Sequence, residues 1–206
     1  IEMTLKKLDD GIFVDTTKID KIKSLDAIIF DCDGVLIDIT NSYDLAIKKT
    51  VDFVLKEMAE IDLPNIVTTQ MIEGFKATGG FNDEVDVTYS LILSIVAAKK
   101  LNKSIPQLIF DVIKNSDQSG IQSVEKYLDT IKADLSEIRN KLAYPGPHNT
   151  NVLYSTFDEI FYGTKLYYDL YKRKPRFFEG KGLIDNDIVL VKKNLVDTLR
   201  QKFAKK

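Results

Sequence analysis

The chain has 206 residues, 44 % of them apolar, with 29 basic against 31 acidic side chains and a formal net charge of −2. That suffices for a real core in one large domain or two small ones, and charges mixed along the chain leave no basic stripe of the kind nucleic acid binds. The single cysteine, Cys32, excludes an internal disulfide. No apolar run approaches the roughly 20 residues a membrane span needs, and the N-terminus IEMTLKKLDDG lacks a signal-peptide core, so the expected setting is cytoplasmic.

Residues 1–24 are polar and mixed, with Gly11–Thr16 a candidate edge strand. Leu25–Asp31 (LDAIIFD) predicts the best strand: a short apolar run ended by an Asp/Gly turn signal. Its unbroken apolar character predicts burial on both faces, as in a parallel sheet. From Asn41 the pattern is helical. One stripe runs through Tyr43, Ile47, Val51, Val54, Leu55 and Met58; a second holds Leu91, Ile92, Ile95 and Val96; a third holds Ile105, Leu108, Ile109 and Val112. Over 120–142, apolar residues from Ile121 to Leu142 alternate spacings of three and four, which predicts one long helix in an antiparallel hairpin. YPGPHNTN (Tyr144–Asn151) breaks it. Two more helices are expected near 152–172 and 187–204.

One strand against five or six helices is an imbalance. A lone buried strand cannot satisfy its own N–H and C=O groups. Either NIVTT (Asn65–Thr69) or DIVLVKK (Asp187–Lys193) is a second strand, or other polypeptide completes the sheet.

The chemistry concentrates in FDCDGVLID. A strand that stops at Asp31 points its carboxylate out of the carboxyl end of the sheet, where open α/β sheets place their ligands. Asp33 projects from the turn into the same space, and Gly34 permits backbone that a side chain would hinder. Two carboxylates so close repel each other unless a cation lies between them or one is protonated. Mg²⁺, a hard ion taking oxygen ligands, suits the first option. A carboxylate can also attack phosphorus, splitting one hard displacement into two.

These residues resemble the first motif of the haloacid-dehalogenase-like superfamily, in its phosphatase branch with a helical cap inserted after the first strand. The resemblance implies an α/β fold with a Rossmann-like core, of which only the first strand is evident here. By the same resemblance Asp31 is nucleophile and metal ligand, Asp33 the general acid/base and a second ligand through its backbone carbonyl, and Mg²⁺ the cofactor. The implied organisation is an N-terminal segment with the nucleophile strand (1–41), a helical cap (42–185) and a return helix (186–206). ATGGFNDEVDVTYSL (77–91), FDEIFYGTKLYYDLY (157–171) and GKGLIDND resemble a subgroup of archaeal and plant predicted phosphatases. The substrate so implied is a small phosphorylated metabolite.

Three further motifs of the superfamily, a Thr or Ser ending a second strand, a lysine and a late acidic pair, have no convincing match. Thr68 and Thr69 lie inside the presumed cap, and Asp185 and Asp187 precede their apolar run instead of following it. A second chain or a further C-terminal segment is therefore expected to complete the core. The rival expectation is a non-catalytic fragment or regulatory relative that binds ligand or partner. A receiver-type signalling domain does not fit, because its phosphoacceptor lies well downstream of its first acids.

In the presumed cap, Gly79, Gly80, Asn82 and Asp83 are candidate substrate-binding residues, since paired glycines followed by polar residues can present N–H groups and carboxylates to a ligand. The same residues could simply end one helix and cap the next. His148, in its Pro/Gly loop, is expected at the surface. Phe157, Phe161, Tyr162, Tyr167, Tyr168 and Tyr171 are expected in the cap core, and YKRKPR as a solvated loop.

Overall fold

The computed structural model describes residues 5–10, 12–148 and 150–203. It divides into two compact units, a small one of 1–38 with 189–206 and a helical one of 39–188.

In the small unit β1 (Leu5–Asp9) pairs antiparallel with β2 (Ile12–Asp15). Asp15 caps a single 3₁₀ turn by accepting from Thr17 N–H at 2.9 Å, and α1 (Ile19–Lys23) follows. The expected strand Leu25–Asp31 is not formed: these residues have no regular structure, and Ile29 is 96 % exposed. The physical reason is the missing neighbour. A strand is held by ladder hydrogen bonds from another stretch, and every sheet among the described residues has only two strands. A Rossmann-like core is therefore not among them. The motif instead leads to a two-residue strand, β3 (Ile37–Asp38).

The helical unit is built around α4. Its elements are α2 (Tyr43–Ala59), α3 (Thr69–Ala77), α4 (Glu84–Lys100), α5 (Ile105–Lys114), α6 (Ile121–Thr130), α7 (Ser136–Leu142) and α8 (Val152–Tyr171). In α4, Val85 and every residue from Val87 to Ala98 are buried, which goes beyond the predicted stripe. A helix apolar on all sides belongs at the centre, and α2, α3, α5, α6 and α8 pack around it. Each fully buried Leu or Ile there contributes about 1.5–3 kcal/mol. Two hydroxyls inside this core turn back on their own helix: Thr88 Oγ1 donates to Glu84 C=O (2.8 Å) and Ser94 Oγ to Ser90 C=O (2.7 Å).

The helix predicted over 120–142 is two helices, because Lys132 takes a left-handed φ of 56° and Asp134 turns the chain by accepting from Ser136 N–H (3.1 Å) and Oγ (2.6 Å). The heptad residues Val124, Leu128, Leu135, Ile138 and Leu142 are still buried. Asn151 joins α7 to α8: its Oδ1 accepts from Leu153 N–H at 2.9 Å, and its Nδ2 donates to the Leu142 and Ala143 carbonyls at 3.0 and 2.9 Å.

After α8, a 3₁₀ turn at Leu183–Asn186 packs on α8 and α2. The helix expected near 187–204 is shorter. β4 (Ile188–Val189) precedes it, Leu190 N–H donates to Leu36 C=O at 2.9 Å, and only α9 (Lys193–Phe203) is helical. No helix among the described residues is long and apolar enough to cross a membrane.

Candidate active site

The Asp31–Ile37 stretch folds into a tight loop around one carbonyl. Cys32 C=O accepts from Val35 N–H (3.3 Å), Leu36 N–H (2.8 Å) and Ile37 N–H (3.0 Å), while Gly34 N–H donates to Ile37 C=O at 2.8 Å. Gly34 has φ +73°, with nothing within 4 Å of where a Cβ would stand, so glycine is needed there for conformation and not for space. The bridge between Asp33 and Ile37 runs through the peptide groups of Cys32 and Gly34, which leaves Asp33's own carbonyl outside it. Asp31 Oδ1 accepts from Cys32 N–H at 2.8 Å. Asp31 and Asp33 are both exposed, neither is helical, and only Cys32 separates them on one small loop.

Gly79, Gly80, Asn82 and Asp83 lie in the helical unit, between α3 and α4. Gly79 (φ +81°) turns the chain out of α3, its N–H donating to Lys76 C=O at 3.1 Å. Gly80 lies against the 117–120 turn so closely that a Cβ would sit 2.4 Å from Asp117 O. Asp83 is the N-cap of α4: Oδ1 accepts from Val85 N–H (2.8 Å) and Oδ2 from Tyr154 Oη (3.1 Å). Asn82 is exposed. Gly79 and Asp83 thus have a demonstrable part in ending one helix and starting the next, while Gly80 packs the connection on the 117–120 turn.

A set of tyrosine–carboxylate pairs stands in the same unit, and sequence reasoning missed it. Tyr144 Oη donates to Asp86 Oδ1 (2.5 Å), Tyr171 Oη to Asp158 Oδ2 (2.7 Å) and Tyr89 Oη to Glu125 Oε1 (2.5 Å); Glu125 is also paired with Arg139. His148 packs against Tyr154 with the rings tilted by 36° and centroids 4.3 Å apart, its Nε2 3.7 Å from Asp158 Oδ2. Burial pushes the Asp158 and Asp86 carboxyls above their ordinary range, against the lowering effect of the tyrosine hydrogen bonds. It likewise raises the Tyr144 phenol, which donation to Asp86 raises further. Phe157, Phe161 and Tyr167 are buried as expected of a core, whereas Tyr168 is 49 % exposed. Among the described residues no group of three or more His, Cys, Asp or Glu is placed to hold a metal ion.

No protein-family model and no curated protein matches the sequence. Among solved structures, the phosphatase Tt82 from Thermococcus thioreducens is similar in fold, with a TM-score of 0.53 and 19 % sequence identity over 84 % of this chain. The match spans 58 % of that phosphatase, and at this identity the likeness is one of fold. This chain is mostly helical with a few short strands, folded like part of a known phosphatase.

Proposed function

We propose that this polypeptide carries the nucleophile motif and the helical cap of a Mg²⁺-dependent phosphoric monoester hydrolase acting on a small phosphorylated metabolite. The observation that carries the reading is the loop geometry: Asp31 and Asp33 are exposed two residues apart on a turn held by hydrogen bonds to Cys32 C=O and Ile37 C=O. The fold likeness to a phosphatase supports it.

In this mechanism an Asp31 carboxylate oxygen attacks phosphorus in line with the ester oxygen. The P–O ester bond breaks, and Asp33 gives its proton to the leaving oxygen. Asp33, now a base, takes a proton from water, which attacks the aspartyl-phosphate, releases orthophosphate and restores Asp31. The residues fit a hard cation: the Asp31 carboxylate and the Asp33 backbone carbonyl are oxygen donors that would hold it, and Mg²⁺ typically takes one or two carboxylates with water and phosphate oxygens. When bound, Mg²⁺ would neutralise phosphoryl charge beside the Asp31 carboxylate. The apolar residues that lead into Asp31 need strands beside them in this reading, supplied by a further segment or a partner chain.

A second reading is favoured by one observation. Leu25, Ile28, Ile29 and Phe30 are 46, 45, 96 and 44 % exposed, with no ladder neighbour among the described residues. On that ground the chain is a non-catalytic relative that binds ligand or partner. Hydrolysis of an aryl phosphate with and without Mg²⁺ separates the two. The catalytic reading requires metal-dependent turnover that Asp31→Asn abolishes, and turnover surviving that change refutes it.

A further inference from the structure

A cavity of about 510 Å³ opens in the helical unit where α8 is interrupted. Gly163, inside α8, has φ 70° and ψ 170°, outside the helical region. The passage Gly180–Gly182 crosses the break: Thr164 N–H donates to Gly180 C=O (3.0 Å), and Gly180 N–H to Thr164 Oγ1 (2.9 Å). A Cβ on Gly163 would stand 2.2 Å from Gly182 N, and one on Gly182 2.3 Å from Tyr162 O. Two backbones therefore touch, and no side chain fills the corner beside them.

The lining is chemically specific. Besides glycine backbone it consists of Tyr162, Leu166 and four charged side chains, Lys165, Asp169, Lys181 and Asp185. The charges fall as two lysine–aspartate sets, each lysine four residues before its aspartate, one set on α8 and the other with Lys181 on the crossing passage and Asp185 in the 3₁₀ turn that follows it. A net anion entering the cavity meets two carboxylates, and a net cation meets two ammonium groups. A ligand carrying one charge of each sign finds a complement to both. Lys181 and Asp185 stand 3.7 Å apart with side chains 79 and 51 % exposed. A pair that open adds little to stability, so exchanging it for contacts to a ligand costs little. The volume suits a small metabolite, and Tyr162 and Leu166 offer apolar contact.

We propose that this cavity binds a small zwitterion, an α-amino acid with an apolar side chain. Its carboxylate is held by Lys165 and Lys181, its ammonium by Asp169 and Asp185, and its side chain lies on Tyr162 and Leu166. The proposal does not depend on the phosphatase reading, because its readout is binding.

The test is an amide NMR titration of the full chain with L-leucine, 4-methylpentanoate and 3-methylbutylamine, the last two being leucine without its ammonium and without its carboxylate. Leucine is expected to give saturable shifts at Gly163, Lys165, Gly180, Lys181 and Gly182, with each analogue binding about tenfold or more weaker, the loss of one charged contact. The double variant Lys165→Met, Lys181→Met should lose leucine binding by a similar factor while its remaining spectrum is unchanged. Should it fail to fold, Asp169→Asn with Asp185→Asn serves instead, and should narrow or reverse the preference for leucine over 4-methylpentanoate. The proposal is overturned by no saturable shift at those amides, by analogues as effective as leucine, or by a folded variant that binds all three ligands as the wild type does.

Discussion

Glu159 accepts the backbone N–H of Phe177 at 2.6 Å, and the same Oε2 accepts from Phe178 N–H at 3.1 Å. Glu159 is fully buried, so the loop after α8 is held to the helix by an interior carboxylate. Removing the acceptor leaves two N–H groups without a partner. Glu159→Ala should cost about 2–4 kcal/mol, and Glu159→Gln, which keeps an acceptor, distinctly less. Urea unfolding midpoints of the two variants check the order. Equal losses would mean that the side chain acts by packing alone.

Asn151 makes a comparable junction with neutral groups. It caps α8 and donates to two carbonyls at the end of α7. Asn151→Ala should cost about 2–3 kcal/mol, more than a cap alone, and Asn151→Asp should keep the cap while leaving both carbonyls unpaired. Thermal and denaturant unfolding would rank them wild type, then Asp, then Ala.

Two glycines with nearly equal φ should respond differently to alanine. Gly34 has φ +73° in open space, so Gly34→Ala pays only left-handed strain, about 1 kcal/mol. Gly163 has φ +70° and backbone 2.2 Å from its would-be Cβ, so Gly163→Ala should cost about 3 kcal/mol or more. Similar losses at both sites would contradict the close crossing of α8 by Gly180–Gly182.

The buried carboxyls of Asp86 and Asp158 set a pH dependence with a definite sign. Both are raised above 3.8, burial being the largest cause. Below 3.8 each is protonated in both states. As pH rises from there, the unfolded chain releases the proton first, so these groups lower stability until their folded-state values are passed. Relative to wild type, the double variant Asp86→Asn, Asp158→Asn should therefore gain stability as pH is raised from 4 to 7. A difference that stays flat, or runs the other way, would show that burial does not raise these two carboxyls.

The helical unit is legible because its stripes are local. Ile47, Val51, Val54 and Leu55 recur at helical spacing, and α2 buries them. In α4 the burial of every residue from Val87 to Ala98 exceeds any stripe, since periodicity fades when no face is polar. The break at 131–135 is invisible to a heptad count because the apolar register continues across it; the Asp134–Ser136 turn is its only local sign. Leu25–Asp31 shows the opposite limit. Its apolar run predicts a strand, but strand formation depends on a neighbour that the run itself does not specify. The Tyr144–Asp86 and Tyr154–Asp83 bonds span 58 and 71 positions, a separation that no local pattern records. At the motif, the Asp-x-Asp-Gly turn is legible because Gly34's left-handed φ is a local demand.

The central claim is covalent chemistry at Asp31, and its most direct measurement is acid-quenched turnover of an aryl phosphate with Mg²⁺, followed by peptide mass spectrometry. The account predicts a phosphoryl group on the peptide containing Asp31, absent in Asp31→Asn and accumulating in Asp33→Asn, whose hydrolysis step should slow by about 10²-fold or more. Product formed with no phosphoryl group on Asp31, phosphorylation at another residue, or no turnover at all would contradict it.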